Sequence, residues 1–133
     1  MFTTGESAHG CGHAVRCINA GVRTCSTDYL SATKASDRLN VVTGQYVDKI
    51  LTYRDAEDDI RASAVLTRNV NGEEITYKAR REVTLTAGAY GSPAILLRSG
   101  IGSSIDLNKI DVNSVLELPG VGKNLTDHLV SAH

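Results

Sequence analysis

Gly88-Ala89-Tyr90-Gly91-Ser92-Pro93-Ala94-Ile95-Leu96-Leu97-Arg98-Ser99-Gly100-Ile101-Gly102 is the stretch on which the fold turns. Ser92-Pro93 reads as a helix N-cap followed by proline at the first helical position, where a missing N–H costs nothing. The spacing predicts a short helix over Pro93 to Arg98 that stops at Ser99-Gly100, with Gly100 as a left-handed C-terminal cap. Just upstream, Glu82-Val83-Thr84-Leu85-Thr86 is rich in β-branched residues and predicts a strand running into Ala87-Gly88-Ala89.

Further upstream lies a hairpin. Ile60 to Val70 and Glu73 to Ala79 are joined by Asn71-Gly72, the dipeptide that tolerates the positive φ angles of a type I′ turn. In the second arm Ile75, Tyr77 and Ala79 share one face, and Glu74, Thr76 and Lys78 the other. Tyr46 to about Tyr53 predicts the strand before it. Asp55, Glu57, Asp58 and Asp59 between them read as a solvated turn. Leu39 to Thr43, with Val41, Val42 and Thr43 followed by Gly44, predicts a short buried strand. Ser26 or Thr27 could cap a short helix through Asp28, Tyr29, Leu30 and Ala32. Downstream, a short helix is expected near Ile105 to Ile110 and a strand near Val115 to Leu118, ended by Pro119.

Residues 1 to 27 hold four of the twelve glycines and all three cysteines, Cys11, Cys17 and Cys25, with no sustained period; they read as irregular, with loops and one short strand at most. An odd, crowded set of thiols is no disulfide framework for a domain. The 133 residues suffice for one domain, and 41% apolar with 22% charged residues is globular composition. Fourteen basic against fifteen acidic residues, a net charge of −1, disfavour a general nucleic-acid binder. The longest aliphatic run, Ala94 to Leu97, is far below the roughly 20 residues of a membrane span. The first residues have neither the basic nor the apolar region of a secretory signal.

Gly10-Cys11-Gly12, Gly100-Ile101-Gly102 and Gly120-Val121-Gly122 each offer the first two glycines of a dinucleotide fingerprint and lack the third. Gly122-Lys123 resembles a P-loop ending, but Glu117 stands where the first glycine belongs and Asn124 where Ser or Thr would reach magnesium. His9, Cys11, His13 and Cys17 are zinc-type ligands whose spacing lacks the separated pairs of structural zinc sites, so no metal site is assigned. Asn124-Leu125-Thr126 matches a glycosylation sequon with no secretion signal to accompany it.

From Gly21 onward the order of segments resembles the glucose–methanol–choline (GMC) oxidoreductases, FAD-dependent alcohol oxidases and dehydrogenases. The stretch Gly88 to Gly102 is similar to that family's second signature. Gly21-Val22-Arg23 with Asp28-Tyr29-Leu30, Asn40 to Val47, and Leu118-Pro119-Gly120-Val121-Gly122-Lys123-Asn124-Leu125-Thr126-Asp127-His128 resemble its flanking segments in the same order. The resemblance implies an incomplete FAD-binding, Rossmann-like domain of α/β class (α+β for the chain taken alone), carrying a β-hairpin or meander. Residues 1–27 would come from the substrate-domain side and residues 28–133 from the later portion of the FAD-binding domain. It implies FAD as cofactor and a small-molecule alcohol as substrate in the full-length enzyme, with hydride transfer to flavin.

Val47 matches the position whose backbone holds the adenine edge, and Ala87 and Gly88 the strand end that approaches the dinucleotide. No residue matches the family's catalytic base or its GxGxxG fingerprint, so the chain is expected to be an interior piece that binds FAD weakly or not at all and does not oxidise alcohols. Ser92-Pro93 and Gly100 are assigned to helix capping, and Asp127 and His128 to structure. Three alternatives compete: a flavin-containing lyase of the hydroxynitrile type within the same family, a small module with a zinc-stabilised N-terminus, and a non-functional remnant that cannot fold because its apolar faces lack the parallel sheet they should pack on.

Overall fold

The computed structural model describes residues 17–33 and 38–127. The chain divides into two compact units, Met1–Val41 and Val42–His133.

In the first unit, β1 (Ile18–Asn19) and β2 (Val22–Arg23) pair antiparallel, Asn19 opposite Val22. The two residues between them, Ala20 and Gly21, both have positive φ, 49° and 79°, as a two-residue type I′ hairpin requires. A hairpin thus stands where an irregular segment was expected. Helix α1 (Ser26–Thr33) follows. Its N-terminus is not capped by Ser26 or Thr27, because the helix begins at Ser26; instead the Asp28 carboxylate accepts the Cys25 N–H at 3.3 Å. This satisfies one of the orphan donors of the first turn. The expected strand Leu39–Thr43 is irregular, and Val41 and Val42 are exposed. A strand is held by a ladder, and no described residue supplies one there.

The second unit is built on a three-stranded antiparallel sheet, β3 (Gln45–Arg54), β4 (Ile60–Asn69) and β5 (Glu74–Lys78), with β4 in the middle. Between β3 and β4 the chain turns through the expected acidic cluster. Asp55 accepts the Glu57 and Asp59 N–H groups on one carboxylate oxygen and pairs with Arg61 at 2.7 Å on the other. Hydrogen bonding from Arg61 holds the Asp55 carboxyl below its usual range.

The β4–β5 turn departs from type I′. Gly72 alone has positive φ, 82°, and its N–H donates to the Asn69 carbonyl at 3.0 Å, while the Asn69 N–H donates to Glu73 O. The loop is therefore three residues, Val70-Asn71-Gly72, with Gly72 at the left-handed position that follows a tight turn. Asn69 decides this, because its side-chain oxygen accepts both the Asn71 and Glu73 N–H groups. On β5, Ile75 is half-buried and Glu74, Thr76 and Lys78 are exposed as expected, but Tyr77 is exposed as well.

Two bulges bend the sheet. Asp48 is the extra residue on β3, since Val47 faces Thr67 and Lys49 faces Leu66. Ser63 is the extra residue on β4, its hydroxyl donating to Leu51 O at 3.0 Å. Thr67, in the central strand and nearly fully buried, places its hydroxyl 3.0 Å from Gln45 Oε1 and 3.1 Å from Ile75 O.

Residues 82–86 belong to no ladder, contrary to the strand expected there, although Val83 and Leu85 are half-buried and Glu82, Thr84 and Thr86 exposed. The alternation survives without the pairing. Helix α2 (Gly88–Arg98) starts five residues earlier than Pro93. Ser92 is not the cap: its hydroxyl oxygen reaches back to accept the Ala87 N–H at 3.0 Å, and Pro93 lies inside the helix. The helix ends as expected. Gly100 has φ 78°, its N–H donates to Leu97 O, and its own carbonyl accepts the Val115 and Leu116 N–H groups. A Cβ at Gly100 would lie 2.5 Å from Asn113 O and 2.8 Å from Val115 Cγ2, so only glycine suits both the angle and the space.

From Gly100 the chain forms a small parallel pair, β6 (Ile101–Gly102) and β7 (Leu116–Glu117), connected through α3 (Ser104–Lys109). The Glu117 carboxylate accepts the Ser104 N–H at 2.9 Å, placing negative charge at the start of α3. Leu107 of α3 is fully buried, and Ile50, Ala64 and Ile95 are the other large or aliphatic side chains buried among the described residues. Ser99 joins helix to sheet: it accepts the Ile50 N–H at 2.8 Å and donates to Ile95 O at 2.6 Å, all within the core.

Candidate cofactor cleft

Packing α2 on β3, with 83–87 beside them, leaves a cleft of about 550 Å³. Gln45, Tyr46 and Val47 line it from β3, Val83 to Ala87 from the unladdered segment, and Gly91, Ala94, Ile95 and Arg98 from α2. Val65 and Ile50 complete its apolar wall. Period-2 alternation turns Val83 and Leu85 inward, and the helical spacing of Gly91, Ala94, Ile95 and Arg98 places one face of α2 opposite them.

Of the three residues expected to face a cofactor, Val47 and Ala87 lie on this cleft; Gly88 is next to Ala87 in the chain, outside the lining. Gly88 has φ 84°, and a Cβ there would meet nothing within 4 Å. Its surroundings are open, and its backbone angle is what favours glycine. Of the zinc-type side chains to which no metal site is assigned, His9, Cys11 and His13 fall outside the described residues; Cys17 is exposed, and the described residues contain no group of three or more metal-ligating side chains. No described helix is long and apolar enough to cross a membrane.

Sequence reasoning missed Arg98. Its Nε donates to Asp48 O at 2.7 Å and its Nη2 to Val47 O at 3.2 Å, and it forms an ion pair with Asp48 Oδ1 at 3.2 Å. The guanidinium carbon lies 5.5 Å from the centre of the Tyr46 ring, within cation–π range. Its partners are about fifty residues away in sequence, and the one local hint was a basic residue in the last turn of a helix, which the macrodipole alone explains.

Chemically the cleft suits a largely apolar portion of a small molecule. Its lining is mostly apolar, with Gln45, Thr84, Thr86 and Arg98 among the few residues that bring polar groups to it. The Val47 carbonyl keeps a second lone pair beside the one that Arg98 engages.

The family model of the GMC oxidoreductases matches residues 3–130. The chain belongs to the GMC oxidoreductase family. GMC oxidoreductases are flavoenzymes whose cofactor is FAD, and the α/β class expected for this segment is the one observed. The oxygen-dependent choline dehydrogenase of Burkholderia multivorans is 41% identical over 127 residues, which is 94% of this chain and 21% of that protein. That of Serratia proteamaculans is 40% identical over 128 residues, with 94% and 22% covered. Among solved structures, pyridoxine 4-oxidase from Mesorbium loti superposes with a TM-score of 0.64 at 28% identity, over 77% of this chain and 19% of that one. An FAD-dependent oxidoreductase from Chaetomium thermophilum gives 0.58 at 29% identity, over 70% and 15%. The chain thus spans about a fifth of the length of the curated relatives it matches.

Proposed function

We propose that this chain is the segment of an FAD-dependent alcohol oxidoreductase that holds the adenine end of the cofactor, with residues 28–133 belonging to the FAD-binding domain and residues 1–27 to the substrate-domain side. The observation that carries this reading is the shared cleft, on which Val47 and Ala87 lie together with an aliphatic wall. Val47 would present its backbone to the adenine edge, Val83 and Leu85 would cover a ring face, and Ala87-Gly88 would pass close to the dinucleotide because small residues permit that approach. Bound flavin supplies the hydride-accepting chemistry for oxidising a CH–OH donor. The residues of this chain bind and orient; none is assigned to proton removal. The choline dehydrogenases among its relatives favour a small alcohol such as choline as substrate of the whole enzyme.

Titration of the purified chain with FAD, followed through backbone amide shifts, tests this. Weak binding that moves Tyr46, Val47, Thr86 and Ala87, with no oxygen uptake on adding choline, is the expected result. Shifts confined to other residues, or choline oxidation by the chain alone, would overturn it.

A further inference from the structure

Resting on the reading that the cleft takes the adenine end of FAD, we propose that Arg98 is a positioning residue that fixes the Val47-Asp48 backbone against the cofactor. In a regular strand successive carbonyls point to opposite sides; at the Asp48 bulge both the Val47 and the Asp48 carbonyls reach one guanidinium, at 3.2 and 2.7 Å. A bulge frees backbone groups from the ladder and re-aims them, and a planar fork of five donors holds two adjacent acceptors in a way the single ammonium of lysine does not.

The fork is itself held by two further groups. Tyr46 lies against its face, and Asp48 Oδ1 pairs with it at 3.2 Å. Asp48 Oδ2 pairs with Arg68 at 3.4 Å, which in turn pairs with Glu74 at 3.2 Å. One chain of charges therefore runs from α2 through β3 and β4 to β5. Partly exposed ion pairs of this kind add little stability. What they add here is a fixed direction for the Val47 carbonyl at the edge of the cleft.

The test uses the purified 133-residue chain, with FAD as probe and FMN, which lacks the adenylate half, as control. FAD but not FMN is expected to shift the amides of Tyr46 to Asp48. Arg98→Leu is expected to weaken FAD binding about tenfold, the loss of one good contact. Arg98→Lys should recover part of that loss, and Asp48→Asn should weaken binding about threefold with an unchanged urea midpoint, because the ion pairs it removes are weak. A purely structural role would lower the urea midpoint of the Arg98 variants and leave their FAD affinity intact. Unchanged FAD affinity in folded Arg98→Leu overturns the inference and leaves the cleft reading standing. If Arg98→Leu does not fold, unchanged affinity in both Arg98→Lys and Asp48→Asn does the same. Equal shifts with FMN, or none with FAD, overturn the cleft reading and the inference with it.

Discussion

Strand β4 and the segment 82–86 are both extended stretches with β-branched and apolar residues, yet one is the middle of a sheet and the other pairs with nothing among the described residues. In β4, Ala64 and Thr67 are buried and both edges are hydrogen-bonded. In 82–86, Val83 and Leu85 still turn inward, against α2 and β3, but the backbone has no ladder. The difference teaches that the alternation in 82–86 specifies which side of the extended chain is covered and says nothing about whether its amides have neighbours, whereas β4 is fixed by ladders on both edges without alternating.

Proline substitution is the sharpest way to break this comparison. Thr67→Pro removes a ladder donor in the central strand together with a buried hydroxyl that lies between Gln45 and Ile75. It should cost about 3 kcal/mol or more and abolish the cooperative urea transition. Gly100→Ala comes next. The φ of 78° and the 2.5 Å approach to Asn113 O combine backbone strain with overlap, for an expected loss of about 2–3 kcal/mol in urea unfolding. Ser99→Ala leaves the buried Ile50 N–H without its acceptor; an expected loss of about 1–2 kcal/mol would show as a lower midpoint at unchanged m-value.

The hairpin and the end of α2 were legible in the sequence because their determinants are local: turn residues beside turn residues, and a glycine after the last helical turn. Even there one side chain changed the detail. Asn69 offers its oxygen to two amides and converts the expected two-residue turn into three. The same logic moved the start of α2, since Ser92 spends its oxygen on the Ala87 N–H instead of capping the helix at Pro93. The expected strands at 39–43 and 82–86 failed for a non-local reason, the lack of a hydrogen-bonding neighbour. Of the candidate site, Val47 and Ala87 were read from a family resemblance and meet on one cleft, whereas Arg98 acts across about fifty residues of chain, a distance at which spacing carries no signal.

A smaller effect concerns acid. Hydrogen bonds from Lys109 and Lys123 hold the Asp106 carboxyl down to about 2, against an ordinary 3.8. The folded state therefore binds this proton less readily than the unfolded one. Its contribution is present above about pH 4 and disappears as pH falls toward 2, so stability falls with acid in that window. Asp106→Asn should flatten that part of the pH–stability curve measured by thermal unfolding. Last and smallest, Thr84→Pro in the unladdered segment should change stability by about 0.5 kcal/mol or less, because no ladder donor is lost. A cost near that of Thr67→Pro would mean the two regions do not differ as described.

The bulge at Asp48 carries an evolutionary consequence. Because Asp48 is the supernumerary residue of its strand, Gln45–Val47 and Lys49–Arg54 keep their partners on β4 whether or not it is present. Strand length can therefore drift by one residue at this point without inverting the faces of either half, which a gap elsewhere in the strand would do. Homologues aligned across β3 should tolerate a single-residue indel here, and those that have lost the residue should also have released position 98 from arginine.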